Sequence, residues 1–104
     1  MTASIPQTIS LSSLVVVMPG QVSTNLDGEI VILDANSGQY YGLDEVGGTI
    51  WNLIQEPKTV IEVRDAILTE YEVETEQCEQ DLFALFKDLA TRGLIELKSG
   101  NAAD

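Results

Sequence analysis

Apolar and polar residues alternate through the first half of the chain and recur every three or four residues through the second. Between Gln21 and Leu43 the period is two. Gln21–Leu26 and Glu29–Asp34 flank Asp27-Gly28, a dipeptide that tolerates positive φ and suits a two-residue hairpin turn. Asn36-Ser37-Gly38 makes a second turn, and Gln39–Leu43 (QYYGL) returns as a third strand, which predicts an antiparallel meander. Gly42 thins that third strand and marks either a bulge or a place where another backbone comes close. Ahead of the meander, Leu14 to Met18 (LVVVM) has strand composition and stops at Pro19-Gly20. It is free to add to the sheet, to cover the core or to mediate self-association.

The helical period begins after Asp44, a capping residue, with Val46, Ile50, Trp51, Leu53 and Ile54 on one face until Pro57 ends the run. Thr59-Val60-Ile61-Glu62 reads as a capping box, because the hydroxyl and the carboxylate each satisfy a free N–H of the first turn. Val60, Val63, Ile67, Leu68 and Tyr71 form the stripe of that second helix. Beyond the acidic linker Glu72-Val73-Glu74, Thr75 is placed to cap a third helix whose stripe is Cys78, Leu82, Leu85, Phe86 and Leu89, widened by Phe83. Gly93 suits a left-handed C-terminal cap, and Leu94 to Leu97 either pair as a last short strand or pack back on the helices. The order β-β-β-α-α-α predicts an α+β fold of winged helix-turn-helix type, with one three-stranded antiparallel sheet before three helices. Residues 1–13 are expected to be a flexible arm, 14–98 the domain and 99–104 a disordered tail.

Composition narrows the use of such a fold. At 104 residues with 44% hydrophobic content the chain suits one domain. Its net charge of −12, from 17 acidic against 5 basic residues, opposes a nucleic-acid backbone or an anionic membrane, both of which need Lys and Arg. The third helix offers only Lys87 and Arg92 against Glu76, Glu79, Asp81 and Asp88, so a DNA-reading use of the helix pair meets repulsion. There is no histidine and one cysteine, so an internal disulfide and a Cys/His zinc site are both impossible. A reducing cytoplasm is the expected setting, and the Leu14 to Met18 run is too short to span a bilayer.

An enzyme reading lacks the residues for it. Cys78 has no nearby base and sits among carboxylates that oppose its thiolate, so it reads as a packed helix residue. The glutamates from Glu70 to Glu79 lack the spacing of a calcium loop and read as a solvated linker and helix start. No catalytic residue, metal site or cofactor is expected.

What remains is strand addition: an unpaired edge supplies N–H and C=O groups to an extended peptide, and neighbouring pockets select its side chains. Tyr40, Tyr41 and Leu43 on the third strand, with Leu82, Leu85 and Phe86 on the third helix, can form such a groove, or can all be core. Tyr41 and Leu43 share one strand face and Tyr40 takes the other. Two other readings stay open: a winged-helix transcriptional regulator, and self-association through the same edge.

Three segments resemble a known family: GEIVILDANSGQYYGLDEVGGTIWNLI, TVIEVRDAILTEYEVE and DLFALFKDLATRGLIEL. They resemble the PqqD-like domain, also called the RiPP recognition element, over about residues 14 to 98. The most specific parts are Ser37 to Trp51 (SGxYYxLDxxGxxIW) and the ending formed by Asp81, Leu82 and Arg92 to Glu96. Within the family the chain is most similar to the stand-alone leader-peptide-binding protein of lasso-peptide biosynthesis. The resemblance implies binding of the leader of a ribosomally made precursor peptide, presented to a leader peptidase and an ATP-dependent cyclase. It also implies a leader strand antiparallel to the third strand and packed on the third helix. That brings in Gln39, Tyr40, Tyr41, Gly42 and Leu43, the face Cys78, Asp81, Leu82, Leu85 and Phe86, and Ile30 and Ile32 as floor. Related domains serve other modified-peptide pathways, pyrroloquinoline quinone and sactipeptides among them, as peptide chaperones.

Overall fold

The meander is present with the expected register. In the computed structural model, which describes residues 9–27 and 29–98, β2 (Gln21–Leu26), β3 (Glu29–Asp34) and β4 (Gln39–Leu43) form one antiparallel sheet in the order β2-β3-β4. Ile30 stands opposite Leu43, and Ile32 opposite Tyr41. Asp27 takes the positive φ of a tight hairpin turn, 54°; its expected turn partner Gly28 lies outside the described residues. Alternation puts Ile30 and Ile32 on the buried face and leaves Val22, Leu33 and Tyr40 in one row on the other.

A single sheet was expected; there are two. The LVVV run forms β1 (Leu14–Val17) at the centre of a second antiparallel sheet, between β5 (Lys58–Thr59) and β6 (Ile95–Lys98). Leu14 pairs with both Thr59 and Lys98. A two-residue strand and a pairing that joins the two ends of the chain leave little local trace in sequence, which is why the pattern missed this sheet. Part of the expected arm is ordered with it. The carbonyls of Leu11 and Ser13 accept from Ile61 and Val60 N–H, and Ile9 and Leu11 pack on the core. Residues 1–8 and 99–104, the rest of the arm and the tail, lie outside the described residues.

The first two helices start where their signals lie. α1 (Glu45–Leu53) starts at Asp44, whose carboxylate accepts from Gly47 N at 2.8 Å. α2 (Val60–Glu70) has the full capping box, Thr59 with Glu62. α3 (Thr75–Thr91) departs from expectation: its N-cap is Glu74, not Thr75, and no side chain caps it. At its other end Gly93 has φ 80°, with Gly93 N–H bonded to Ala90 C=O and Leu94 N–H to Leu89 C=O. That Schellman pair turns the chain directly into β6.

Every layer contributes to one core. Val15 of β1, Ile32 of β3, Val60 and Val63 of α2, and Leu82, Phe86 and Leu89 of α3 are all fully buried. α1 lies so close on β3 that a Cβ at Gly48 would come within 2.9 Å of Ile30 Cγ1. Arg64 of α2 reaches Glu79 of α3 at 2.6 Å and ties the helix pair across its turn.

Candidate functional site

β4 is the end strand of its sheet, and no other described strand pairs with its outer side. β1, the one strand whose placement was open, is committed to the other sheet. Alternate N–H and C=O groups of β4 therefore face outward without a backbone partner among the described residues. A side chain at Gly42 would meet nothing within 4 Å, so the middle of this edge is uncrowded.

α3 runs alongside β4 and presents a stripe at helical spacing: Asp81, Leu85, Asp88 and Arg92. At one end the two elements are joined. The Tyr41 hydroxyl donates to Asp88 Oδ2 at 2.5 Å, and the Arg92 guanidinium sits 4.6 Å from the centre of the Tyr41 ring while its Nε reaches Asp88 Oδ1 at 3.3 Å. Burial and the bond to Asp88 push the Tyr41 hydroxyl above its ordinary value. A cavity of about 130 Å³ lies beside this bridge, with Gln39, Tyr40 and Ile32 on its wall.

At the other end β4 and α3 part. Gly42 and Leu43 face Asp81 and Leu85 across an open groove of about 480 Å³, with Val46, Ile50 and Val73 completing it. A deeper cavity of about 60 Å³ shares Val46, Ile50, Val73 and Asp81 with the groove and continues to Ile67, Cys78 and Leu82. Val73 and Val46 are 45% and 37% exposed and leave apolar surface on the wall of the groove. The Cys78 thiol opens on this inner cavity in its protonated form, pushed up by burial and by the Asp81 carboxylate.

The expected residues divide into three groups. Gly42, Leu43, Asp81 and Leu85 line the groove, and Cys78 and Leu82 line its inner end. Gln39, Tyr40, Tyr41 and Ile32 border the small cavity, Tyr40 from the outer sheet face at 71% exposure. Ile30 and Phe86 are buried and border none of these three cavities. Val46, Ile50 and Val73 were not among the expected site residues. Val46 and Ile50 had been absorbed into a core stripe; Val73 carried a usable signal, a lone apolar residue between two glutamates. Asp88 and Arg92 were also missed, since only the fold brings them to Tyr41.

Among the described residues no group of acidic, cysteine or histidine side chains is arranged to hold a metal ion, and no helix is long and apolar enough to cross a membrane. The arrangement offers hydrogen bonds along an edge and an apolar recess beside it.

Comparison with known proteins bears on what this arrangement belongs to. No curated protein matches the chain. Among solved structures it is similar to TbiB1 in complex with the TbiA(beta) leader peptide, with a TM-score of 0.73 and 40% identity over 78% of this chain and 94% of that one. It is also similar to a lasso peptide synthetase B1 complexed with the leader peptide, with a TM-score of 0.71 and 27% identity over 79% and 96% of the two chains. The family model for coenzyme PQQ synthesis protein D matches residues 29–95, from β3 through the start of β6, and so takes in the edge, the bridge and the groove together. The chain belongs to the PqqD family.

Proposed function

We propose that this protein is a non-catalytic recognition element: it binds the leader of a ribosomally made precursor peptide as an added strand on β4 and presents it to processing enzymes in lasso-peptide biosynthesis. The observation that carries the reading is the outer edge of β4, which no described strand pairs, beside an apolar groove walled by α3. The two similar structures support it, since both are described as leader-peptide complexes. A match to the PqqD family alone fits a peptide chaperone of another modified-peptide pathway, and the similarity to a lasso peptide synthetase B1, at 27% identity over 96% of that chain, favours the lasso class.

In this reading Gln39 to Leu43 supply backbone pairing, Leu43, Asp81 and Leu85 contact the guest, and Cys78 and Leu82 close the inner end. Tyr41 holds the strand against α3, while Ile30, Ile32 and Phe86 support the floor from behind. The α2–α3 pair with the β2–β3 hairpin is then a winged helix-turn-helix turned to peptide use. Its third helix is a poor match for DNA, as Arg92 is paired with Asp88 and Lys87 is outnumbered by carboxylates. The receiving partners are a leader peptidase and an ATP-dependent cyclase, in the cytoplasm where precursors are made.

Magnitudes assign the roles. About four or five strand hydrogen bonds contribute roughly 0.5–1.5 kcal/mol each, and ordering a free peptide costs about 1–2 kcal/mol per residue. Edge pairing alone therefore barely offsets its own ordering cost. Two or three apolar side chains at roughly 1.5–3 kcal/mol each decide the affinity. Calorimetric titration with full precursor, isolated leader and leaderless core peptide tests the reading. Binding of the first two and not the third is expected, and equal binding of leader and core contradicts it.

A further inference from the structure

The groove is apolar within and acidic at its mouth. Among the described residues Asp44 and Asp81 are the only charged side chains on its lining or on that of the inner cavity, and no Lys or Arg borders either. Each carboxylate has one oxygen engaged, Asp44 with Gly47 N and Asp81 with Gln77 Nε2 at 2.9 Å; the second oxygen of each accepts no hydrogen bond among the described residues. Glu45, Glu72 and Glu74 adjoin lining residues in sequence. Arg64, the basic residue close enough to act on Cys78, is bonded to Glu79 and Asp65.

We propose that this groove selects a peptide strand that carries a large apolar side chain with a lysine or arginine two residues away from it. The proposal rests on the leader-binding reading and specifies the chemistry of the leader. In an added strand, residues i and i+2 point to the same side, about 7 Å apart. An apolar side chain in the recess then leaves a neighbouring basic one at the mouth. Its methylene stem lies along the apolar wall, and its charge reaches the carboxylates without crossing a positive group. An acidic neighbour would meet Asp44 and Asp81 instead.

The charge of the whole chain acts in the same sense. At −12 it draws a cationic peptide toward the groove and opposes the approach of a second copy, whose own β4 edge would compete for the same pairing. An open edge needs some such protection, and here the protection also favours the guest.

The test is selection of random peptides of about a dozen residues by messenger-RNA display against the full chain at low salt, with affinities of the winners measured by fluorescence anisotropy. Enriched peptides are expected to share an apolar anchor with Lys or Arg two positions away. Their affinity should fall about two- to five-fold for Asp81→Asn, the range of a partly exposed ion pair, with an unchanged circular dichroism spectrum. Asp81→Lys should shift the preference toward Glu beside the anchor. Enrichment of anchors with neutral or acidic neighbours, or wild-type affinity of the basic peptides for Asp81→Asn, overturns the charge rule and leaves strand addition standing. No enrichment at all overturns both.

Discussion

β1 and β4 are strands of four and five residues in sheets of three strands each, and the chain treats them oppositely. β1 is paired along its whole length by β6 and additionally by β5 at Leu14 and Val15; among the described residues β4 is paired on one side only. The difference follows from composition. LVVV is apolar without interruption, the pattern of a strand enclosed by its surroundings. QYYGL mixes a polar end, two aromatics with polar tips and a glycine, and tolerates one wet side. Because the strand placed earliest in the chain is taken up by the far sheet, nothing among the described residues covers β4. One sheet closes the fold, and the other keeps an edge that no described strand occupies.

That contrast can be broken or sharpened by substitution. The largest effect is expected in the closed region: Phe86→Ala removes a fully buried ring from behind the groove and should cost about 3–5 kcal/mol of stability in urea denaturation. A stable Phe86→Ala that fails to bind leader would move this residue from the core to the contact surface. Leu85→Asp, at a half-buried groove position, should do the opposite. It should weaken leader binding at least about ten-fold, the loss of one apolar anchor, while the unfolding midpoint moves little. Unfolding of that variant would place Leu85 in the core.

The bridge sits between the two regimes. Tyr41→Phe should cost about 1.5–3 kcal/mol, the range for a hydrogen bond to a charged group, and loosen β4 from α3. The smallest effect concerns pH. The Tyr41 hydroxyl is held above its ordinary value by burial first and then by Asp88, so folding favours its protonated form. Its contribution is present below the ordinary pKa of about 10 and is lost as pH rises through the raised folded value. Thermal melts of the wild type should therefore lose stability more steeply than those of Tyr41→Phe in that alkaline window. Parallel curves would remove Tyr41 from the alkaline response.

Local signals carried most of the fold. The meander, the capping box at Thr59 and Glu62 and the glycine cap at Gly93 are each fixed by residues within a few positions of one another, and all three are where the sequence places them. The second sheet was illegible because Leu14 meets Lys98 only after the helices have brought the chain ends together. The site divides the same way. Alternation distinguished Tyr40 from Tyr41 and Leu43, and helical spacing found Leu85. The Asp88 and Arg92 contacts with Tyr41 and the recess under Val73 depend on three elements meeting, and no single stretch encodes them.

The central claim is that β4 receives a backbone. Hydrogen–deuterium exchange of the full chain with and without its cognate leader peptide reads this directly. Alternate amides of Gln39 to Leu43 should slow on binding, while those of β1 should exchange as before. A leader that binds with no new protection on β4, or with protection confined to the β5-β1-β6 sheet, contradicts the account.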